Sequence, residues 1–158
     1  MATVLIGPNC KFYYRSTGNF ASPTWTEITA MKDVARNSAW DVIEAPDRST
    51  TVKAEAKSQR DISVTASMKK KAGDAGVNAV LAAEESQTSS IDIMVLDGDK
   101  STNGARGVRY EAVVTQGNED QALTNALYLD LRFAPDAFSD NRYQSVLVTA
   151  GSPAFTNL

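Results

Sequence analysis

The chain of 158 residues contains no histidine at all and a single cysteine, Cys10. Without histidine there is no Ser-His or Cys-His nucleophilic pair, no imidazole zinc ligand and no ordinary general base near neutral pH. An enzyme built on this sequence has only carboxylates, lysines and hydroxyls to work with. One cysteine excludes an intrachain disulfide, so packing alone must hold the fold. No apolar run approaches the roughly 20 residues of a membrane span. The opening MATVLIGPNC lacks a basic region and a proper apolar core for export, so the expectation is a chain made and kept in the cytoplasm, or one leaving by another route. Excess positive charge is missing too. The formal net charge is −3 and the sequence pI about 5.0, which offers no electrostatic grip on nucleic acid or an anionic membrane.

What is present is enough for one core. A length of 158 residues with 42% hydrophobic content predicts a single domain over 1–158, without internal repeats or a dividing linker. KFYYR (Lys11 to Arg15), TWTEI and the latter part of MKDVARNSAWDVIEA read as strands. In ISVTASM, Ile62, Val64, Ala66 and Met68 alternate with Ser63, Thr65 and Ser67, the pattern of a strand with one wet face. Val77, Val80 and Leu81 at helical spacing behind Asp74 predict one helix over about 74–85. SSIDIMVLDG and VRYEAVVTQ read as a hairpin, and Gly117-Asn118 as the next turn. Leu127, Leu129, Leu131 and Phe133 share one face of a further strand, with Tyr128, Asp130 and Arg132 on the other, and YQSVLVTAG reads as the last strand. Some seven strands and one helix predict a mainly β protein, an antiparallel sandwich or barrel with one flanking α-helix.

Between two of these strands lies APDRSTTVKAEAKSQRD, residues 45–61, with no glycine, no aromatic and seven charges. Loops beyond roughly 12 to 15 residues are uncommon in small domains and are mostly functional or disordered. This segment is therefore expected to touch a partner.

Short motifs that resemble chemistry fail in detail. DGDKSTNG begins like a calcium loop at Asp97, Asp99 and Ser101, but Thr102 stands where glycine is needed and Val108 where a bidentate glutamate belongs. Ser67 with Lys70 fits S-x-x-K and Ser139-Asp140-Asn141 spells S-D-N, yet K-T-G is missing. The triplet Lys69, Lys70, Lys71 reads as a solvated charge run, and Trp25 and Trp40 as core or subunit-seam residues. No metal, cofactor or catalytic residue is assigned.

The order of the pieces carries more. PTWTEITAMKDV, a long polar segment, DISVTASMKKKAGDAGVNAVLAAEES, SIDIMVLDGD and GVRYEAVVTQGNEDQALTNALYLDLRFAPD together resemble the tail tube (major tail) proteins of long-tailed bacteriophages, over nearly the whole chain. The resemblance implies a structural virion protein of the phage tail, assembled in the host cytoplasm and not an enzyme. Such subunits form hexameric rings that stack into a hollow tube, conducting DNA without binding it specifically. The implied partners are the chain itself and the tape-measure, tail terminator and baseplate or tail-tip proteins. In that setting residues 45–61 are the inter-ring loop, with Asp47, Arg48, Lys53, Glu55, Lys57 and Arg60 as contacts of both signs. The acidic candidates for the lumen are Asp33, Asp41 and Glu111, since a wall poor in Lys and Arg releases few counterions from passing phosphates. Two alternatives stand beside it: a tube protein of a contractile injection machine, and a monomeric β-sandwich binding module using Tyr13, Tyr14 and Trp25 as a ligand platform.

Overall fold

Ile62, Val64, Ala66 and Met68 are all buried, and they lie on one long strand whose other face carries the half-buried Thr65 and Ser67. The computed structural model describes residues 10–45, 54–120, 126–139 and 143–157. Within them the elements are β1 (Lys11–Gly18), β2 (Pro23–Glu27), β3 (Met31–Ala45), β4 (Ala54–Lys69), α1 (Ala75–Glu85), β5 (Ile91–Leu96), β6 (Arg106–Asp120), β7 (Tyr128–Pro135), β8 (Gln144–Thr149) and β9 (Ser152–Asn157). Every strand pairing is antiparallel. The sheet is open, running β2-β1-β5-β6-β7-β4-β3, with β8 on β6 and β9 on β8.

Strand β6 belongs to two half-sheets. Its first part pairs with β5 through Gly107–Ala112 and with β8 through Arg106–Arg109, whereas Ala112–Asp120 pairs with β7. One half-sheet is thus β2-β1-β5-β6-β8-β9 and the other β6-β7-β4-β3. The main core includes Phe12, Tyr14, Val64, Met68, Ile93, Tyr110, Leu131 and Phe133. Helix α1 closes over it with Val77, Val80 and Ala83, and its first turn is capped by Asp74, whose carboxylate accepts from the N–H groups of Gly76 (2.9 Å) and Val77 (3.1 Å). A second core of Tyr13, Trp25, Met94, Leu96, Val146 and Val148 covers the opposite face of β1 and β5. Strand β5 is therefore buried on both sides along its whole length, which is why IDIMVL is nearly continuous in apolar residues.

Three sequence expectations change. Gly117 and Asn118 make no turn; they continue β6 opposite Leu131 and Asp130. The Glu84 side chain of α1 packs over Gly117 instead, close enough that a Cβ there would sit 2.7 Å from Glu84 Oε1. YQSVLVTAG is not the last strand either. Ala150 (φ 51°) and Gly151 (φ 73°) are both left-handed, a two-residue hairpin turn that leads into β9. Pro153 lies on β9, which ends its sheet and so needs no N–H for a further neighbour.

The third change concerns the polar segment. Ala54–Asp61 is strand, paired with Ala39–Ala45 across one register shift between Trp40 and Val42, so the excursion is largely part of a β3–β4 hairpin. Pairing of β4 with β7 ends at Val64 opposite Phe133, and beyond that the hairpin projects as an arm. Side chains 55–59 are exposed on both faces, which removes the alternation by which a strand is recognised.

Candidate assembly surfaces

Two surfaces gather most of the residues expected to act. On the half-sheet β6-β7-β4-β3, the face away from the core is polar and in register. Ser67 lies opposite Asp130, which lies opposite Asn118, and Thr65 lies opposite Arg132, which lies opposite Gln116. The Ser67 hydroxyl donates to Asp130 Oδ1 (2.8 Å), and Arg132 Nη1 donates to Thr115 Oγ1 (3.1 Å). Lys32 holds its ammonium 3.9 Å from the centre of the Tyr128 ring. Asp33 joins this face through a β-bulge: Lys32 opposes Ser67 and Ala35 opposes Thr65, leaving an extra residue on β3, and Asp33 adopts φ 52° there. Asp33, Ser67, Gln116, Asp130 and Arg132 line one shallow depression of about 300 Å³. The half-sheet has two free backbone edges among the described residues. One is the outer edge of β3, and the other is β6 from Val113 onward, where pairing with β5 has stopped at Ala112.

The arm is the second surface. Trp40, Val42 and Ile43 are 43%, 53% and 57% exposed. Arg60 places its guanidinium 5.4 Å from the Trp40 ring and 4.9 Å from the Tyr143 ring, and its Nε donates to Ser38 Oγ at 2.9 Å. It thereby ties the base of the arm to the body. Lys57 stands 5.3 Å over Trp40, and Glu55 is exposed opposite Glu44. Asp41 is exposed on the same arm, further out along β3 than Asp33. Asp47, Arg48 and Lys53 lie outside the described residues.

Glu111 does not join Asp33 and Asp41. It lies on the first half-sheet, opposite Asp92, at 3.6 Å from Arg15 and accepting a hydrogen bond from the Ser139 hydroxyl. It belongs to a charge network that the sequence reading missed. Arg109 donates from Nη2 to Asp92 Oδ2 (2.8 Å) and from Nε to Asp92 Oδ1 (3.2 Å), and Nη2 also reaches the Phe20 carbonyl (2.7 Å). The guanidinium is enclosed by the rings of Phe20, Trp25 and Phe155 at 3.6, 4.9 and 4.5 Å. Burial pushes the Asp92 carboxyl above its ordinary value, with the hydrogen bonds and charge of Arg109 opposing it. The signal was a lone carboxylate inside the apolar IDIMVL with an arginine on its hairpin partner.

The remaining motifs are absorbed by structure. Asp97 Oδ1 accepts from the Arg106 N–H (2.6 Å), and Asp99 Oδ1 accepts from both the N–H (2.9 Å) and hydroxyl (2.6 Å) of Ser101. Among the described residues no group of three or more metal-ligating side chains occurs. Ser67 is engaged by Asp130, while Lys70 is bonded to Glu119 at 2.5 Å. Tyr13, Tyr14 and Trp25 are 1%, 7% and 8% exposed, so the ligand platform of the binding-module reading does not exist. No described helix is long and apolar enough to cross a membrane.

The fold is that of a tail tube protein. The chain is similar to the SPP1 tail tube subunit solved by solid-state NMR and cryo-EM, at a TM-score of 0.65 and 16% identity over 83% of this chain and 75% of that one. It is also similar to the tail of an empty gene transfer agent particle refined helically with C6 symmetry, at 0.64 and 11% identity over 98% of this chain and all of that one. A third likeness, to a chain of the anti-feeding prophage baseplate, has a TM-score of 0.58 and 11% identity over 90% of this chain and 97% of that one. No protein-family model matches the sequence, and no curated protein matches it.

Proposed function

We propose that this chain is the subunit of a phage-type tail tube, a structural virion protein without catalysis or cofactor. The observation that carries the reading is the half-sheet β6-β7-β4-β3, with a sealed core face, a polar opposite face and, among the described residues, two unpaired edges. Edge strands in a lone domain are a liability, and pairing the β3 edge of one copy with the β6 edge of the next removes both at once. Repeated around an axis, that contact is heterologous and closes into a ring. Six copies, as in the C6 tail of the similar gene transfer agent, form a hexamer whose polar faces make the wall of a channel. Asp33 and Asp130 then face the lumen, with Asp41 nearer one rim, and DNA passes without a cationic surface to hold it.

The arm reaches the adjoining ring. Its exposed Trp40, Val42 and Ile43 supply apolar contact, and Glu55, Lys57 and Arg60, with Asp47, Arg48 and Lys53, supply charges of both signs. Tape-measure, terminator and baseplate or tip proteins complete such a tube. The likeness to a baseplate chain of the anti-feeding prophage favours a second reading, a tube subunit of a contractile injection machine, which differs in having a sheath outside.

Negative-stain electron microscopy of the concentrated protein, beside a variant lacking residues 47–58, tests the proposal. Hollow tubes from the intact chain, with rings or monomers from the deletion, support both the tube and the inter-ring arm. Featureless monomers from both, across concentration and salt, refute the tube.

A further inference from the structure

Phe138 is 99% exposed, more than any other large apolar side chain described. It is not on a loose loop. The Asp136 N–H donates to the Glu111 carbonyl (2.9 Å), the Phe138 N–H donates to Asp136 Oδ1 (2.9 Å), and the Ser139 hydroxyl bonds the Glu111 carboxylate. Glu111 is in turn beside Arg15, so the turn is anchored to the charge network of the first half-sheet. The product is an aromatic knob with a carboxylate at its base, held out from the body.

The same molecule carries a groove of matching character. Between the β3–β4 hairpin and β8 lies an open cavity of about 820 Å³, walled by Val34, Arg36, Arg60, Arg106, Tyr143 and Leu147. Arg60 is occupied by Trp40, Tyr143 and Ser38. Among the described residues neither Arg36 nor Arg106 has an ion-pair partner. Among the described lining residues the one carboxylate is Asp97, which accepts from a backbone N–H. A cationic, apolar groove is therefore left in a chain whose net charge is −3.

We propose that the Asp136–Ser139 turn of one subunit seats in this groove of a second copy. Phe138 lies against Val34 and Leu147 with a guanidinium over its ring, and Asp136 meets Arg36 or Arg106. Knob and groove are different surfaces of one chain, so a single such contact leaves one knob and one groove free, and it can be repeated head to tail in a ring or a stack. The inference rests on the self-assembly reading, and goes beyond it by naming a contact outside the sheet edges and the arm.

The test uses two full-length variants in a Cys10→Ser background, Phe138→Cys and Leu147→Cys, mixed under mild oxidation and followed by non-reducing gels and electron microscopy. Disulfide-linked dimers from the mixture, and neither variant alone giving them in the same yield, are expected. A chain carrying both cysteines should give a ladder of multimers. Tubes or rings without the cross-link overturn the docking and leave the assembly reading standing. A bond formed within the doubly substituted monomer overturns it as well, since the knob then occupies its own groove. Absence of both assembly and cross-link refutes both. Phe138→Ser, at an exposed site, should fold with an unchanged Tm and raise the concentration needed for assembly about tenfold, as loss of an aromatic anchor does; unchanged assembly by this variant also overturns the inference.

Discussion

Arg109 and Asp92 meet as a two-point ion pair with side chains only 2% and 0% exposed, directly beneath the aromatic layer that joins the β1–β2 connection, β2 and β9. Removing one partner leaves the other charged and buried. Asp92→Asn should therefore destabilise by about 3 to 5 kcal/mol, a fall in Tm on the order of 10 °C. Replacing both, as Asp92→Leu with Arg109→Met, should recover most of that loss, because an apolar pair of similar volume avoids the desolvation cost. Chemical denaturation of the three proteins decides it; an Asp92→Asn variant within 1 kcal/mol of the parent would show the pair to be inert.

Asp33 and Ala150 both hold φ near +50°. Ala150→Gly should stabilise by about 1 kcal/mol, since glycine has no Cβ to crowd the carbonyl there. Asp33→Val, with its branched side chain in the same conformation, should cost about 1 to 2 kcal/mol, while Asp33→Asn should be close to neutral. Urea titrations with equal m-values are the measurement, and a neutral Asp33→Val would refute the bulge conformation.

Burial pushes the Tyr13 phenol up to about 12, although the Lys100 N–H that it accepts partly opposes this. The unfolded chain ionises this tyrosine near 10, so the unfolded state gives up its proton first. The contribution to stability is complete below about pH 10 and is lost as pH rises toward 12. Thermal melts between pH 8 and 11.5 should fall more steeply for the parent than for Tyr13→Phe. Parallel curves would remove Tyr13 from the account.

Trp40 stands on the arm with Arg60 and Lys57 over its ring, away from both cores. Trp40→Ser should change stability by less than about 1 kcal/mol yet prevent tubes from lengthening, because the exposed ring serves a partner and not the fold. Sedimentation of assembled material separates the two effects. A large Tm loss with normal assembly would assign Trp40 to the fold instead.

Local signals were readable. The alternation of Ile62 to Met68 and of Leu129 to Phe133 depends only on the two-residue period of a strand, and the Asp74 cap on a side chain reaching its own next turn. Where the chain carried no such contrast, the reading failed. Side chains 55–59 are exposed on both faces, so the β4 half of the arm looked like a loop while the β3 half was read as a strand, and Gly117 resembled a turn residue because the side chain that packs over it, Glu84, comes from a helix 33 positions earlier.

Composition alone excluded histidine chemistry and an intrachain disulfide, local patterns pointed to a mainly β chain with one helix, and the order of the pieces resembled that of tail tube proteins. Those properties are either counted directly or carried by neighbours along the chain. Only the tertiary structure decided which carboxylates share a surface. Asp33 joins Asp130 through a bulge, whereas Glu111 is drawn into the network of Arg15, Asp92 and Arg109. A side chain's face follows from strand register, and a single extra residue reverses it, so no local pattern can supply that choice.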